Sequence, residues 1–197
     1  MFLLELHHGL LAESFELQAA QHAGWRLVTP CDGDLPQNNR QGKRVRYERE
    51  RDIAMCPFLR EASELDEKEW REFLSLYNTV LATAQSGQDW PKVLHKQVHD
   101  AGNVTIQRSL GKHERHTIIQ FGKKKSLTRI FAFISSGGRK LAFVSHGFEK
   151  PANVDRTPAA EQERARVNLK SYLDAIDAKN IQLIDVQGGK NEFLKMV

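Results

Sequence analysis

Four short runs with the composition of β-strands follow one another between residues 104 and 146: Val104–Leu110, Thr117–Phe121, Leu127–Ile134 and Leu141–His146. The intervals between them hold turn formers, namely Gly111-Lys112, Gly122-Lys123 and Ser135-Ser-Gly-Gly138. Connections this short cannot carry a chain back along a sheet, so consecutive runs are expected to pair antiparallel as a meander. A sheet must bury one face against another layer, and the chain offers two amphipathic segments for that purpose.

The first begins at Asp66, where Glu69 three residues later makes a capping pair. Trp70, Phe73, Leu74, Tyr77 and Leu81 then recur at helical spacing, which predicts a helix running to about Ala84. Aromatic residues at that spacing read as core rather than as a base-stacking platform, and Ser86-Gly87 with Trp90-Pro91 marks the exit. The second begins at Thr157-Pro158, a hydroxyl N-cap with proline at the first helical position, and carries Ala165, Leu169, Leu173 and Ile176 as its buried stripe. It is expected to end near Lys179-Asn180, with Ile181 to Val186 available as one more strand. The expectation is an α+β domain in which helices pack on one face of a small antiparallel sheet and leave the other face to solvent.

Three regions follow from these boundaries. Residues 63–186 form the folded domain, residues 187–197 a tail, and residues 1–62 an additional N-terminal lobe, interrupted by a long loop around Thr29-Pro-Cys-Asp-Gly. The segment Arg40 to Arg51 interleaves its charges and reads as a solvated surface arm. At 197 residues with 40% apolar and 27% charged residues, the chain can bury a sizeable core without a staple. Its first residues lack a basic leader region and no apolar run nears the roughly 20 residues of a membrane helix, so a cytoplasmic location is expected. Cys31 and Cys56, 25 positions apart and outside any CxxC motif, read as ordinary thiols.

Charge is distributed unevenly. Residues 1–89 hold 10 basic and 15 acidic side chains, residues 90–156 hold 13 and 4, and residues 157–197 hold 6 and 6. The basic middle segment also carries His95, His99, His113, His116 and His146, which together suit a surface that meets phosphates. Lys123, Lys124 and Lys125 in one turn, and Arg139 in the next, would contact an RNA backbone without choosing sequence, although a three-lysine turn is equally a solvated loop. No metal is expected: His95 and His99 lack the carboxylate of an HExxH helix. Neither a glycine-rich nucleotide loop nor a GxSxG nucleophile turn is present, and no small-molecule cofactor is expected.

Three ordered blocks carry a family resemblance: Thr128-Arg-Ile-Phe-Ala-Phe; the turn Gly137-Gly-Arg-Lys leading into Leu141-Ala-Phe-Val-Ser-His-Gly-Phe-Glu-Lys150; and Arg156-Thr-Pro followed by Glu161 and Ala165. They resemble the HigB-like, phage-derived branch of the RelE/ParE toxin superfamily over roughly residues 70–178. The chain departs from that pattern at Pro151, where the branch usually has a second lysine, and in a longer loop before Arg156.

The resemblance implies a RelE-like fold and the toxin of a type II toxin–antitoxin pair. Such a toxin is a ribosome-dependent mRNA endoribonuclease in which a 2′-hydroxyl attacks the neighbouring phosphate without a metal. Its implied partners are mRNA, the ribosome and a cognate antitoxin, with no membrane. By match to the family strand, Arg129 is the first candidate phosphate clamp, followed by Lys150 and Arg156. Arginine suits that role because its planar fork holds two phosphate oxygens at once. His146 is the candidate acid or base, since an imidazole titrates near neutrality; its alternation with Val144 and Phe148 reads equally as a buried structural histidine. His113 and His116 are alternatives. A non-enzymatic relative, such as a ParE-like gyrase inhibitor or a mobile-element protein that binds nucleic acid or a partner, is the competing reading.

Overall fold

A computed structural model describes residues 1–6, 25–32, 54–86, 98–108, 111–122, 128–134, 141–151 and 156–184. Among them, seven strands form one mixed sheet: β1 (Phe2–Glu5), β2 (Arg26–Cys31), β3 (Val98–Gln107), β4 (His113–Phe121), β5 (Thr128–Ile134), β6 (Leu141–Glu149) and β7 (Gln182–Ile184). Their order across the sheet is β3-β4-β5-β6-β2-β1-β7. The helices are α1 (Pro57–Ser63), α2 (Glu67–Gln85) and α3 (Ala159–Asp177).

The α+β class holds, and β3 to β6 form the expected antiparallel meander. Three features differ from expectation. The sheet is mixed rather than antiparallel, because β2 runs parallel to β6 and β1 parallel to β7. The described part of residues 1–62 is no appended lobe: β1 and β2 stand between β6 and β7, as interior strands of the common sheet. Helices also cover both faces rather than one. Leu4, Leu27, Phe121, Ile130, Ala132, Ala142 and Val144 pack with α1 and α2, whereas Leu3, Val28, Phe131, Phe133, Leu141 and Phe143 pack with α3.

Two-sided burial explains the composition of the central strands. Thr128 to Phe133 and Leu141 to His146 are buried at every position, so their apolar residues run without alternation. Among the described residues a solvated face survives on the outer hairpin. There Asn103, Thr105, Gln107, His113, Arg115 and Thr117 are exposed, while Val104, Ile106 and Ile118 turn towards α3.

The helices begin as their sequences dictate, with one shift. At α2 the Asp66 carboxylate accepts from the Glu69 backbone N–H at 2.8 Å and the Glu69 carboxylate accepts from the Asp66 N–H, completing the capping box. Its buried face, Phe73, Leu76, Tyr77, Val80, Leu81 and Ala84, lies on the first core. Each large side chain there contributes about 2 kcal/mol on burial, so packing rather than intrinsic propensity holds the helix. At α3, Pro158 rather than Thr157 is the N-cap, and no side chain caps it. The Thr157 hydroxyl is drawn away to the Gln120 side-chain oxygen, 3.1 Å distant. The α3 stripe is Ala165, Leu169, Tyr172 and Leu173, with Ile176 partly buried at its edge.

At the far end of α3, Arg108 from the end of β3 donates from Nε to Asp177 at 3.1 Å and from Nη1 to Glu114 at 3.1 Å. A second bond from Nη2 to Asp177 completes a forked contact that fastens helix to hairpin. The hydrogen bonds it donates to Asp177 are the main reason the Arg108 guanidinium is held more firmly protonated than usual.

Candidate nucleic-acid interface

Arg129 lies two residues before Phe131 on β5 and so shares its face, the one covered by α3. The neighbouring strand makes room for it with a glycine. A Cβ on Gly122 would stand 2.7 Å from the Arg129 Nε and 2.8 Å from Nη1, so the guanidinium lies against bare backbone at the end of β4. Arg129 is 9% exposed, and its Nη1 donates to the Thr128 carbonyl at 2.8 Å. Burial lowers its proton affinity, yet arginine starts so high that the charge stays.

The register brings the other family-matched cations to the same end of the sheet. Arg129 pairs with Phe148 and Thr128 with Glu149, which places Lys150 one position past the last pair, half-exposed. Arg156 is exposed and immediately precedes Thr157, which the Gln120 bond fixes against β4. Three cations from three segments therefore lie towards the end of the sheet where β4 and β6 end and β5 and α3 begin. Of Gly122, Gln120 and Thr157, which set this arrangement, the sequence pattern marked Gly122 as a turn former and Thr157 as a helix cap, but gave neither this role, and it did not mark Gln120.

His146 does not join this surface. It is completely buried, as the structural reading of its alternation allowed. A β-bulge between the Phe131–His146 and Ala132–Val144 pairs places Ser145 as the extra residue, and the His146 ring packs edge-on to Phe131 at 5.2 Å. Asn168 on α3 donates to the Ser145 carbonyl at 3.2 Å and to its hydroxyl oxygen at 3.0 Å, and that hydroxyl lies 2.9 Å from the His146 Nδ1. With Asn168 donating to it, the hydroxyl is free to donate to Nδ1, which leaves the imidazole proton on Nε2. Nε2 faces the Glu161 Oε2 at 3.0 Å, although the contact lacks hydrogen-bond alignment. Burial pushes the imidazole down to about 3, with the positive charge of Arg164 adding to the effect. A neutral, enclosed imidazole at the junction of β6 and α3 organises the core and reaches no external phosphate.

His113 is exposed on the outer hairpin, and His116 is half-buried with Nε2 at 3.5 Å from Glu114. Burial is the main cause that lowers the proton affinity of His116. His99 lies on β3, so the helical spacing considered for a metal does not apply to it. Among the described residues no group of three or more metal-ligating side chains occurs, and no helix is long and apolar enough to cross a membrane. Lys123, Lys124, Lys125, Arg139 and the tail 187–197 lie outside the described residues.

On the opposite face, a cavity of about 210 Å³ opens between α1, α2 and β6. Phe58, Leu65, Phe73 and Phe148 line it, together with Glu61, Glu69 and Glu149. Burial first, and then the neighbouring Glu69, raise the Glu149 carboxyl above its ordinary value. Such a lining repels phosphate, so an anionic ligand belongs at the cationic end and not here.

Comparison of the chain with protein-family models, with curated proteins and with solved structures finds no match.

Proposed function

We propose that the chain is a toxin of the type II toxin–antitoxin kind, acting as a ribosome-dependent mRNA endoribonuclease by metal-independent attack of a 2′-hydroxyl on the adjacent phosphate. One observation carries the proposal. Arg129, Lys150 and Arg156 come from three separate sequence blocks and lie towards the same end of the sheet, on the side where α3 begins. There a phosphate would meet charge from several sides, as stabilisation of a pentacoordinate phosphorane requires. The partners of this reading are mRNA on the ribosome and a cognate antitoxin that masks the cations.

Expression of the chain should then arrest growth and produce codon-linked mRNA cleavage in a translating extract. Arg129→Ala should abolish cleavage while the circular dichroism spectrum and unfolding midpoint stay near those of the parent. Unaffected growth together with intact mRNA would overturn the proposal.

The enclosure of His146 favours a second reading, a non-enzymatic relative that binds nucleic acid, gyrase or a protein partner through the same cations. A supercoiling assay with purified gyrase separates the two, because only this reading allows inhibition without RNA cleavage.

A further inference from the structure

We propose that Cys31 and Cys56 form a reversible disulfide on exposure to peroxide, a redox site that fastens β2 to the start of α1. The two cysteines are free thiols. Cys31 ends β2, opposite Phe2 of β1, while Cys56 immediately precedes α1. Next to them the Asp32 backbone N–H donates to the Met55 carbonyl at 2.6 Å, so the segments are already joined at residues 32 and 55. Cys31 and Cys56 each stand one residue from that bond. A disulfide spans Cα atoms about 4.4–6.8 Å apart, a reach suited to residues that flank such a contact. Arg60 adds two clasps, donating to the Ala54 carbonyl at 3.0 Å and pairing with Asp32 at 3.3 Å.

The side chains meet as the backbone suggests, with the Cys31 and Cys56 thiols hydrogen-bonded to each other. Their surroundings divide the work. Cys31 is partly exposed and within reach of a small oxidant, whereas Cys56 is completely buried. Around Cys56, burial alone would raise the thiol, and the neighbouring Cys31 thiol is the largest influence that brings it down.

The reaction balances with hydrogen peroxide as oxidant. The Cys31 sulfur attacks one peroxide oxygen, the O–O bond breaks, and Cys31 becomes a sulfenic acid while water leaves. The Cys56 thiolate then attacks the Cys31 sulfur, the S–O bond breaks, and the departing hydroxide takes up the proton that Cys56 released, giving a second water. Two thiols and one peroxide yield one disulfide and two waters. A dithiol restores both thiols.

Purified full-length protein treated with hydrogen peroxide and digested without reduction should yield one peptide pair joining Cys31 to Cys56. The intact chain should lose the mass of two hydrogens and regain it with dithiothreitol. Cys56→Ser should leave Cys31 as a sulfenic acid that dimedone traps, and Cys31→Ser should leave Cys56 unmodified at the same dose. The unsubstituted protein decides the matter even where a variant folds poorly. Dimers joined through Cys31, oxidation that stops at sulfinic acid, or intact thiols at a dose that oxidises free glutathione would each overturn the proposal.

Discussion

The His146 imidazole and the Glu161 carboxylate face each other at 3.0 Å across the junction of β6 and α3, with the histidine sealed from solvent. The contact ends a chain of polar groups running from Asn168 through Ser145 to the ring, and this chain positions the first turn of α3 over the sheet. Removing the ring would leave a cavity and strand the Ser145 hydroxyl. His146→Ala is therefore expected to cost about 3 kcal/mol of stability, read from urea unfolding. A loss below about 1 kcal/mol would argue against an enclosed ring.

The same enclosure sets a pH dependence. An imidazole held at about 3 in the fold, against 6.5 when free, binds a proton less readily folded than unfolded. Its contribution is complete above about pH 6.5 and is lost as pH falls from there towards about 3, at up to about 1.4 kcal/mol per pH unit. Urea midpoints measured from neutral pH down to about pH 5 should fall steadily for the parent and more shallowly for His146→Gln. Parallel profiles would remove His146 as the cause.

Gly122 and Arg129 are coupled by contact. A methyl at 122 occupies space that the guanidinium fills, so Gly122→Ala should displace Arg129 and cost about 1–3 kcal/mol. On the proposed function, RNA-binding titrations of Gly122→Ala and Arg129→Ala should show similar losses, and the double variant should be little worse than either alone. Additive losses would mean that the two positions act independently.

Arg108 joins β3 to the last turn of α3 through Asp177 and to β4 through Glu114. Arg108→Ala should destabilise by about 2 kcal/mol, as expected for hydrogen bonds between charged groups. Raising the salt concentration should narrow the gap between parent and variant, because Glu114 is partly exposed and screened. A gap that does not respond to salt would point to packing of the arginine stem instead.

The Asp66 cap gives a local test. Asp66→Ala removes the acceptor for the Glu69 N–H and should cost about 1 kcal/mol, seen as a lower thermal midpoint with the helix content of the native state nearly unchanged. An unchanged midpoint would show that packing alone holds the first turn.

Much of the candidate site was legible in linear order. Arg129, Lys150 and Arg156 were marked by their blocks; strand register sets Arg129 and Lys150 towards one end of the sheet, and the Thr157 bond to Gln120 sets Arg156 there. The burial of His146 was one of two readings the sequence allowed, but the face it takes was not legible, because its alternation with Val144 and Phe148 ignores the bulge at Ser145, and a bulge is set by the partner strand. Burial on both faces had left a trace, since Ile130-Phe-Ala-Phe-Ile134 and Leu141-Ala-Phe-Val144 carry no alternation at all. That pattern speaks for two covering layers where one was expected.

The sequence by itself determined what depends on neighbours a few residues apart. The α2 capping box, the apolar stripe of α3 and the β3 to β6 meander rest on hydrogen bonds and spacings within short windows. Tertiary structure alone decided what depends on partners far along the chain. Parallel pairing of β2 with β6 joins residues more than a hundred positions apart, and no local pattern encodes it. The same long-range closure turned the first strands into the middle of the sheet, brought Cys31 to Cys56 and closed α3 over His146. Each juxtaposition is fixed only when both partners are buried together, because strand pairing and core packing are settled between surfaces and not along a segment.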